Sequence, residues 1–266
     1  MNSLINGVPG NQLPSDDRGF LFGESVFETI AFQDRHAPLW HWHMARLARG
    51  GAGLQIPVPE PETLARECRQ LLPSSGRFVV RITISAGSGG CGYWPEEDGA
   101  SRRVVSYRPW PDRIEQQRRS GLRLRLSSIT LSTEGPMQGL KHGNRLAQVS
   151  AARECRSSGH DEAILLDPLG NLMEVISSNL VLAREDRLTT HPRPEVAGVG
   201  LGWLKTEAGI EFLPLSLPVE RLAECSEVLV INSVAGVRPV IAVEQHRFTI
   251  GPFCRLLQSL WSSQLI

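Results

Sequence analysis

The alternation of apolar and polar residues predicts a chain that mixes strands and helices. Residues 2–40 contain several turn signals, and their apolar residues Val26, Phe27, Ile30 and Phe32 form a run typical of strands. Charged residues interrupt this run, which predicts either a solvated face or the lining of a cleft. We therefore expect the first part of the chain to be β-rich.

The pattern then changes to helical spacing. Met44, Leu47 and Ala48 share one helical face, so we expect a helix from about His41 that ends at Gly50-Gly51. The later predicted elements are a helix over 60–72, strands over 78–85, 104–107 and 122–129, a helix over 147–156, strands over 162–166 and 172–183, a helix through Leu204 and Ala208, and a strand over 228–231.

A polar connection rich in arginine and glutamine divides the chain. With 266 residues the protein is long enough for two domains of ordinary size. We expect a smaller N-terminal α/β domain over 1–112, an interdomain connection over 113–120 and a larger C-terminal domain over 121–266.

Charge and cysteine usage argue against several classes of function. The 28 basic and 28 acidic residues give a net charge of zero, so binding to nucleic acid or to an anionic membrane is not expected. No apolar run approaches membrane-spanning length and the first residues lack a signal-peptide pattern, so we expect a soluble protein. The five scattered cysteines indicate a reducing, cytoplasmic compartment.

Lysine is rare in this chain. Lys141 and Lys205 are the two lysines, beside 26 arginines. A guanidinium cannot form a Schiff base, whereas a desolvated lysine amine can. Lys141, just before a predicted helix, is therefore a candidate for covalent chemistry, although composition alone also permits a lysine kept there by chance.

Two other patterns invite a cofactor or metal interpretation. Residues 87–92 match G-x-G-x-x-G after a strand, but a polar loop and another strand follow where a dinucleotide site needs a helix. A glycine-rich hairpin loop is the better interpretation. His41 and His43 have no third ligand at a suitable spacing, so no metal site is expected.

The remaining polar residues gain a use when they are taken together with the lysine. Pyridoxal phosphate needs an amine for its aldehyde, an acid beside its pyridine nitrogen and N–H donors for its phosphate. Lys141, Glu174 on a later strand and the glycine-rich turn that leads into the helix near Leu204 supply these three elements.

The ordered motifs resemble the fold-type IV pyridoxal-phosphate enzymes, which are branched-chain aminotransferase-like, over nearly the whole chain. Within the family they are most similar to the lyases of 4-amino-4-deoxychorismate. The motifs are Asp17-Arg18-Gly19, Phe27-Glu28-Thr29, Arg46-Leu47, the loop from Gly87 to Tyr93, Lys141-His142 with Asn144-Arg145-Leu146, Asp161-Glu162-Ala163, Glu174 with Ser178-Asn179-Leu180, and Asn232-Ser233 with Pro239-Val240.

The resemblance implies an α/β (α+β) fold of two domains, with the C-terminal one binding cofactor and the cofactor in the cleft between them. It also implies roles for individual residues. Lys141 would bind the cofactor covalently and act in catalysis, Glu174 would pair with the pyridine nitrogen, and Arg46 would hold the phosphate. Main-chain groups at Val199 and Gly200, together with Ser233 and Val234, would complete the phosphate site.

The resemblance further implies a small-molecule substrate and a homodimer. We expect a lyase that forms 4-aminobenzoate and pyruvate, because residues 231–236 differ from the Gly-Thr-Gly-Thr-Ala type sequence of the family's aminotransferases. A branched-chain or D-amino-acid aminotransferase on the same fold is the main alternative. A cofactor-free protein that binds a metabolite or a protein is a more distant one.

The glycine-rich loop departs from the family's lyase pattern. Those lyases commonly carry arginine at the positions where this chain has Ala86 and Cys91. The groups that bind the substrate carboxylates are therefore open, and Arg81 and Thr29 are the candidates.

Overall fold

The computed structural model describes residues 2–97 and 99–265, which divide into two compact units. The first unit comprises residues 1–110 and 140–144, and the second comprises 111–139 and 145–266. The segment 113–120, predicted as a connection, forms a helix of the second unit. Residues 140–144, which carry Lys141, group with the first unit although they follow the boundary in sequence.

An antiparallel sheet with two helices on one face forms the first unit. The sheet order is β2-β1-β5-β4-β3. The core lies between this sheet and the helices, and Leu47, Leu64 and Ile82 are among its fully buried side chains. The elements are β1 (Ser3–Ile5), β2 (Val8–Pro9), α1 (Arg18–Phe22), β3 (Ser25–Gln33), α2 (Trp40–Leu54), α3 (Pro61–Leu71), β4 (Arg77–Ser85) and β5 (Arg102–Pro109).

The second unit is built on a larger mixed sheet. Its elements are α4 (Arg113–Ser120), β6 (Leu122–Thr130), α5 (Leu146–Ser158), β7 (Glu162–Leu166), β8 (Leu172–Val175), β9 (Asn179–Arg184), β10 (Arg187–Thr190), α6 (Val199–Thr206), β11 (Leu213–Pro214), a 3₁₀ turn (Val219–Glu224), β12 (Glu227–Asn232), β13 (Gly236–Val243), β14 (His246–Arg247) and α7 (Pro252–Leu265).

Six of these strands close into a ring. The sheet runs β9-β12-β13-β6-β7-β8, and β8 pairs back with β9 through Glu174 and Asn179. Every strand of the ring contributes to one apolar cluster, which explains the predominance of valine and leucine in these strands. The contributing residues include Leu124, Ile164, Leu172, Leu180, Val230 and Val240.

Most of the predicted strands and helices are confirmed, with shifts of a few residues at their ends. The end of α2 was predicted wrongly, because the helix continues through Gly50-Gly51 to Leu54. A Cβ at Gly50 would lie 3.0 Å from Val26, and one at Gly51 would overlap Val58. The two glycines therefore serve close packing of the helix rather than its termination.

Three further differences are local. The predicted strand over 172–183 is two strands, β8 and β9, joined by a tight turn. Helix α1 interrupts the β-rich opening, and α7 was not predicted. Within the part of the chain that the structure describes, no helix has both the length and the apolar character needed to cross a membrane.

Candidate active site

Strand pairing places the amine of Lys141. The Phe27 N–H donates to the Lys141 carbonyl at 3.0 Å, and the Gly143 N–H donates to the Ser25 carbonyl at 2.7 Å. Lys141 therefore lies opposite Phe27 at the edge of β3, with its Nζ 4.5 Å from the centre of the Phe27 ring. The half-buried lysine is thus held against an aromatic face by backbone hydrogen bonds.

His142 shapes the turn that follows the lysine. Its side chain is buried, and its Nδ1 accepts the Asn144 N–H at 3.3 Å. A Cβ at Gly23, whose φ is +67°, would overlap the Asn144 side chain. The lysine segment therefore fits closely against the turn before β3.

Arg46 is part of a buried ionic cluster with Glu28 and His43. Its Nε and Nη2 donate to the two Glu28 carboxylate oxygens at 2.7 and 2.5 Å, and His43 Nδ1 lies 2.6 Å from Glu28 Oε2. Burial would raise the pKa of Glu28, but Arg46 and His43 outweigh it and hold the pKa at about 2. The guanidinium of Arg46 is thus fixed in orientation by a carboxylate.

The role of Glu28 was missed from the sequence, where charges in this region were expected to be solvated or to line a cleft. Glu28 and His43 are instead fully buried. Burial is the largest effect on His43 and lowers its pKa, although the hydrogen bond and charge of Glu28 oppose it; the charges of Arg46 and Lys141 lower the pKa by smaller amounts. His43 therefore donates from Nδ1 to Glu28 as a neutral ring, and its buried Nε2 has no hydrogen-bond partner among the described residues.

Thr29 and Arg81 face each other on neighbouring strands. They are paired in the β3–β4 register, on the same face of the sheet as Phe27. The Arg81 guanidinium lies 3.8 Å from the centre of the Phe27 ring, and its Nε donates to Thr83 Oγ1 at 3.2 Å. The structure thus brings the two predicted substrate residues beside the ring that also contacts Lys141.

The glycine-rich loop is the predicted hairpin connection, since β4 and β5 on either side of it are antiparallel. Cys91 is exposed on this loop and Ala86 is half-buried at its start. A feature missed from the sequence is the buried Arg18, whose guanidinium donates to main-chain carbonyls along the loop. These acceptors are Gly89, Gly92, Tyr93 and Trp94, at 3.0–3.5 Å.

In the second unit, Glu174 closes the ring of strands. Its side chain is buried, and its Oε1 accepts from Asn179 Nδ2 at 2.6 Å and from the Val196 N–H at 3.4 Å. Asn179 Nδ2 also donates to the Val196 carbonyl at 3.0 Å. Asn179 therefore orients the carboxylate, a role that its sequence motif did not reveal.

Helix α6 begins beside this pair. Gly198 is the N-cap residue of the helix and has no side chain with which to cap the first N–H groups. A Cβ at Gly198 would overlap Asn179 Oδ1, so only glycine fits. Val199 and Gly200 form the first turn, where helical N–H groups point outward and favour an anion.

The turn after β12 lies close to the start of α6. A Cβ at Gly200 would lie 3.3 Å from Ile231, which is paired with Asn179 across β12 and β9. Asn232 Oδ1 accepts the Val234 N–H at 3.0 Å, which fixes the turn containing Ser233. Glu174 and the four predicted phosphate residues of the second unit are therefore brought to one end of its sheet.

A buried arginine supports this end of the sheet and was also missed. Arg238 donates to Ser178 Oγ at 2.9 Å and to Glu162 Oε1 at 3.0 Å. Ser178 in turn accepts from Asn232 Nδ2 at 3.0 Å. The strand pair that carries Asn179 is thus tied to the turn after β12.

The two histidines of α2 differ in environment. His41 is exposed, whereas His43 is buried against Glu28. Across residues 2–97 and 99–265, no group of three or more His, Cys, Asp or Glu side chains could hold a metal ion.

Comparison with known proteins identifies relatives that share this architecture. The amino-transferase class IV family model matches residues 25–243. The chain belongs to this family. The crystal structure of 4-amino-4-deoxychorismate lyase from Pseudomonas aeruginosa is similar to this chain, with a TM-score of 0.91 and 99% of each chain covered. The two sequences are 32% identical.

Two further relatives cover most of the chain. Aminodeoxychorismate lyase of Vibrio harveyi is 27% identical over 265 residues, which is 96% of this chain and 97% of the relative. Branched-chain amino acid aminotransferase of Escherichia coli, at 23% identity and a TM-score of 0.87 with 99% and 94% of the chains covered, shares the fold. The expectations of a two-domain fold-type IV protein and of a pyridoxal-phosphate enzyme family are thereby confirmed.

Proposed function

We propose that this protein is a pyridoxal-phosphate-dependent lyase that converts 4-amino-4-deoxychorismate to 4-aminobenzoate and pyruvate. The observation that carries the proposal is the 32% identity to a lyase of this name over 99% of both chains. The position of Lys141 against Phe27 supports it, because a catalytic amine needs a fixed approach.

The side chains present fit the cofactor. Lys141 would bind its aldehyde covalently, and Glu174, oriented by Asn179, would hold a proton on its pyridine nitrogen. The cofactor's phosphate would bind at the start of α6, at Val199 and Gly200, with Ser233, Val234 and Arg46 as further donors. The close packing of Gly198 on Asn179 supports this assignment, because it couples the acid to the helix terminus.

In the proposed reaction, bound pyridoxal phosphate supplies the electron-accepting ring. With the substrate bound, the Lys141 amine would take the C4 proton and would return a proton to the departing enolpyruvyl group, which leaves as pyruvate. Its contact with the Phe27 ring keeps the amine close to one position during these transfers. Loss of the enolpyruvyl group leaves an aromatic ring, so the protein's main tasks are orientation and proton transfer.

The rival function is amino-group transfer on the same fold. D-alanine aminotransferase of Bacillus licheniformis is 24% identical over 248 residues, so relatives of both kinds exist. The turn Asn232-Ser233-Val234-Ala235-Gly236 favours the lyase, because it differs from the Gly-Thr-Gly-Thr-Ala type sequence of the aminotransferases. A cofactor-free binding protein is disfavoured by the presence of both Lys141 and Glu174.

A coupled assay for pyruvate tests the proposal. The purified protein with pyridoxal phosphate should release pyruvate and 4-aminobenzoate from 4-amino-4-deoxychorismate without any keto-acid acceptor. Turnover that requires an amino acid and a keto acid would instead identify an aminotransferase. Absence of cofactor absorption after added pyridoxal phosphate would favour the binding protein.

We further propose a cytoplasmic homodimer in the pathway to folate. All five cysteines are free and four of them are buried, which is compatible with a reducing compartment. Light scattering on the eluting protein measures the oligomer, and a monomer at working concentrations would contradict this part of the proposal.

A further inference from the structure

A buried tryptophan of the C-terminal helix α7 lies against both backbone segments of the second unit that are proposed to bind the cofactor's phosphate. A Cβ at Gly200 would lie 3.0 Å from Trp261 Cη2, at one end of the indole. A Cβ at Gly236 would lie 2.8 Å from Trp261 Nε1, on the other ring of the same indole. Trp261 therefore contacts the first turn of α6 and the turn after β12 at once.

The contact with α6 extends over one turn of that helix. Trp203 lies three residues after Gly200, which places both on the same helical face. The rings of Trp203 and Trp261 meet edge to face, with centroids 5.7 Å apart and planes at 81°. Aromatic pairs favour this arrangement, and both rings are buried. The indole is thus fixed relative to the helix whose first N–H groups would meet the phosphate.

The turn after β12 is held both from within and by neighbouring elements. Within the turn, Asn232 Oδ1 accepts the Ala235 N–H at 2.6 Å. From α4, Arg118 Nε donates to the Ala235 carbonyl at 2.8 Å. From α7, the Trp261 indole lies against Gly236. The position of this turn relative to α6 therefore depends on a side chain of α7.

Helix α7 is itself fixed to the sheet before it reaches Trp261. The buried Glu227 carboxylate on β12 accepts three main-chain N–H groups around the start of the helix at 2.9–3.1 Å, which satisfies donors that a helix start leaves open. These N–H groups belong to Gly251, Phe253 and Cys254. Further along the helix, Gln258 Nε2 donates to the Val237 carbonyl of β13 at 3.1 Å. Trp261 is thus carried by a helix that is anchored to β12 and β13.

We propose that Trp261 is a positioning residue for the phosphate of pyridoxal phosphate. By contacting Gly200 and Gly236 together, its indole sets the distance between the start of α6 and the turn that carries Ser233 and Val234. Main-chain donors bind an oxyanion well only when they converge on it at about 3 Å, so their spacing determines the affinity. The inference rests on the phosphate site proposed above, and it gives α7 a role in cofactor binding.

Titration of the apoprotein with pyridoxal phosphate and with pyridoxal, which lacks the phosphate, tests this proposal. Trp261→Phe keeps an aromatic side chain, but the smaller ring cannot reach both glycines at once. It should raise the Kd for pyridoxal phosphate by about tenfold, the effect of weakening one charged hydrogen bond. Its Kd for pyridoxal should stay within about twofold, because Lys141 and Glu174 are unchanged.

Leu257→Ala is the matched control on the same helix. Leu257 is fully buried, and among the described residues the atoms nearest to a Cβ on Gly200 or Gly236 belong to side chains other than Leu257. The variant should lower the denaturation midpoint because it leaves a cavity, yet the ratio of the two Kd values should stay within about twofold of the wild type. The ³¹P resonance of the bound cofactor should shift in Trp261→Phe and stay in place in Leu257→Ala.

Trp203→Phe is a milder change that loosens the same indole and serves if Trp261→Phe does not fold. It should raise the Kd for pyridoxal phosphate relative to that for pyridoxal by about two- to fivefold, because Trp261 loses part of its edge-to-face contact. The double variant should be no worse than Trp261→Phe, since Trp203 acts through Trp261. An unchanged ratio in Trp203→Phe, where it is the variant that folds, would overturn the inference.

The outcomes distinguish this inference from the phosphate site on which it rests. A wild type that prefers pyridoxal phosphate, beside a Trp261→Phe variant with the same ratio of Kd values, would overturn the inference and keep the phosphate site. Equal changes of the ratio in Trp261→Phe and Leu257→Ala would show a general effect of α7 and would also overturn it. A wild type that binds pyridoxal as tightly as pyridoxal phosphate would overturn the phosphate site and the inference together.

Discussion

The two faces of β3 carry different kinds of charge. On the core face, Glu28 is fully buried and is bound by Arg46 and His43. On the opposite face, Phe27 presents its ring to Lys141 and Arg81. The difference shows that the alternation of side chains along one strand places a buried ionic cluster, which orients Arg46, on one face and the groups around Lys141 on the other.

Removal of the lysine is the most severe test of the reactive face. Lys141→Ala should lower kcat for pyruvate release by at least about 1,000-fold, because in the proposed reaction this one amine would perform two proton transfers and hold the cofactor. The free energy of unfolding should fall by only about 0.5–1 kcal/mol, the value of a lost cation–π contact. Assays beside denaturant titrations measure both quantities, and Lys205→Ala is the control that should keep activity.

Removal of the carboxylate on the core face should have a large effect on the free energy of unfolding. Glu28→Gln should lower the free energy of unfolding by about 3–5 kcal/mol, because it leaves Arg46 buried without its counter-charge. Glu62→Gln, which breaks an exposed pair with Arg69, should cost less than about 1 kcal/mol. Equal losses in the two variants would contradict the contrast between buried and exposed pairing.

Lowering the pH should reduce the stability that Glu28 contributes on the core face. The Glu28 pKa of about 2 lies below the unfolded value of 4.5, so its contribution is complete above pH 4.5 and is lost as pH falls toward 2. The shift corresponds to about 3 kcal/mol of stability. The unfolding free energies of the wild type and Glu28→Gln should converge over this range, and parallel curves would show that Glu28 carries no such linkage.

A smaller effect is expected where packing rather than charge decides. Gly198→Ala should lower the free energy of unfolding by about 1–3 kcal/mol, because the new methyl group must displace Asn179. We also expect weaker binding of pyridoxal phosphate, measured by titration of the apoprotein. Gly10→Ala is the control, since its nearest contact would be 3.6 Å. Unchanged affinity for pyridoxal phosphate in Gly198→Ala would show that Asn179 does not contribute to the cofactor site.

Local patterns in the sequence correctly predicted the elements whose geometry depends on residues close together in the chain. The periodicity of β4 and α3 and the turn before β8 were recovered because each reflects short-range geometry. Gly50-Gly51 misled the prediction, since glycine can either end a helix or allow close packing. Only the neighbours Val26 and Val58, distant in sequence or outside the helix, decide between these uses.

The candidate site shows the same contrast between residues that local patterns identify and residues whose roles depend on distant contacts. Lys141 stood out by rarity, and Glu174 by its motif. The partners Asn179 and Glu28 could not be assigned, because their roles depend on strand register and on which face of β3 meets α2. The sequence pattern around a charged residue in a strand is the same whether its side chain lies in water or in a buried cluster.

The most direct test of the central claim is to fix the cofactor to its lysine with borohydride and map the labelled peptide. The account predicts a single pyridoxyl label on Lys141. Lys205 is the competing amine, because it is the other lysine of the chain. A label on Lys205, or none on a folded and cofactor-treated protein, would contradict the account.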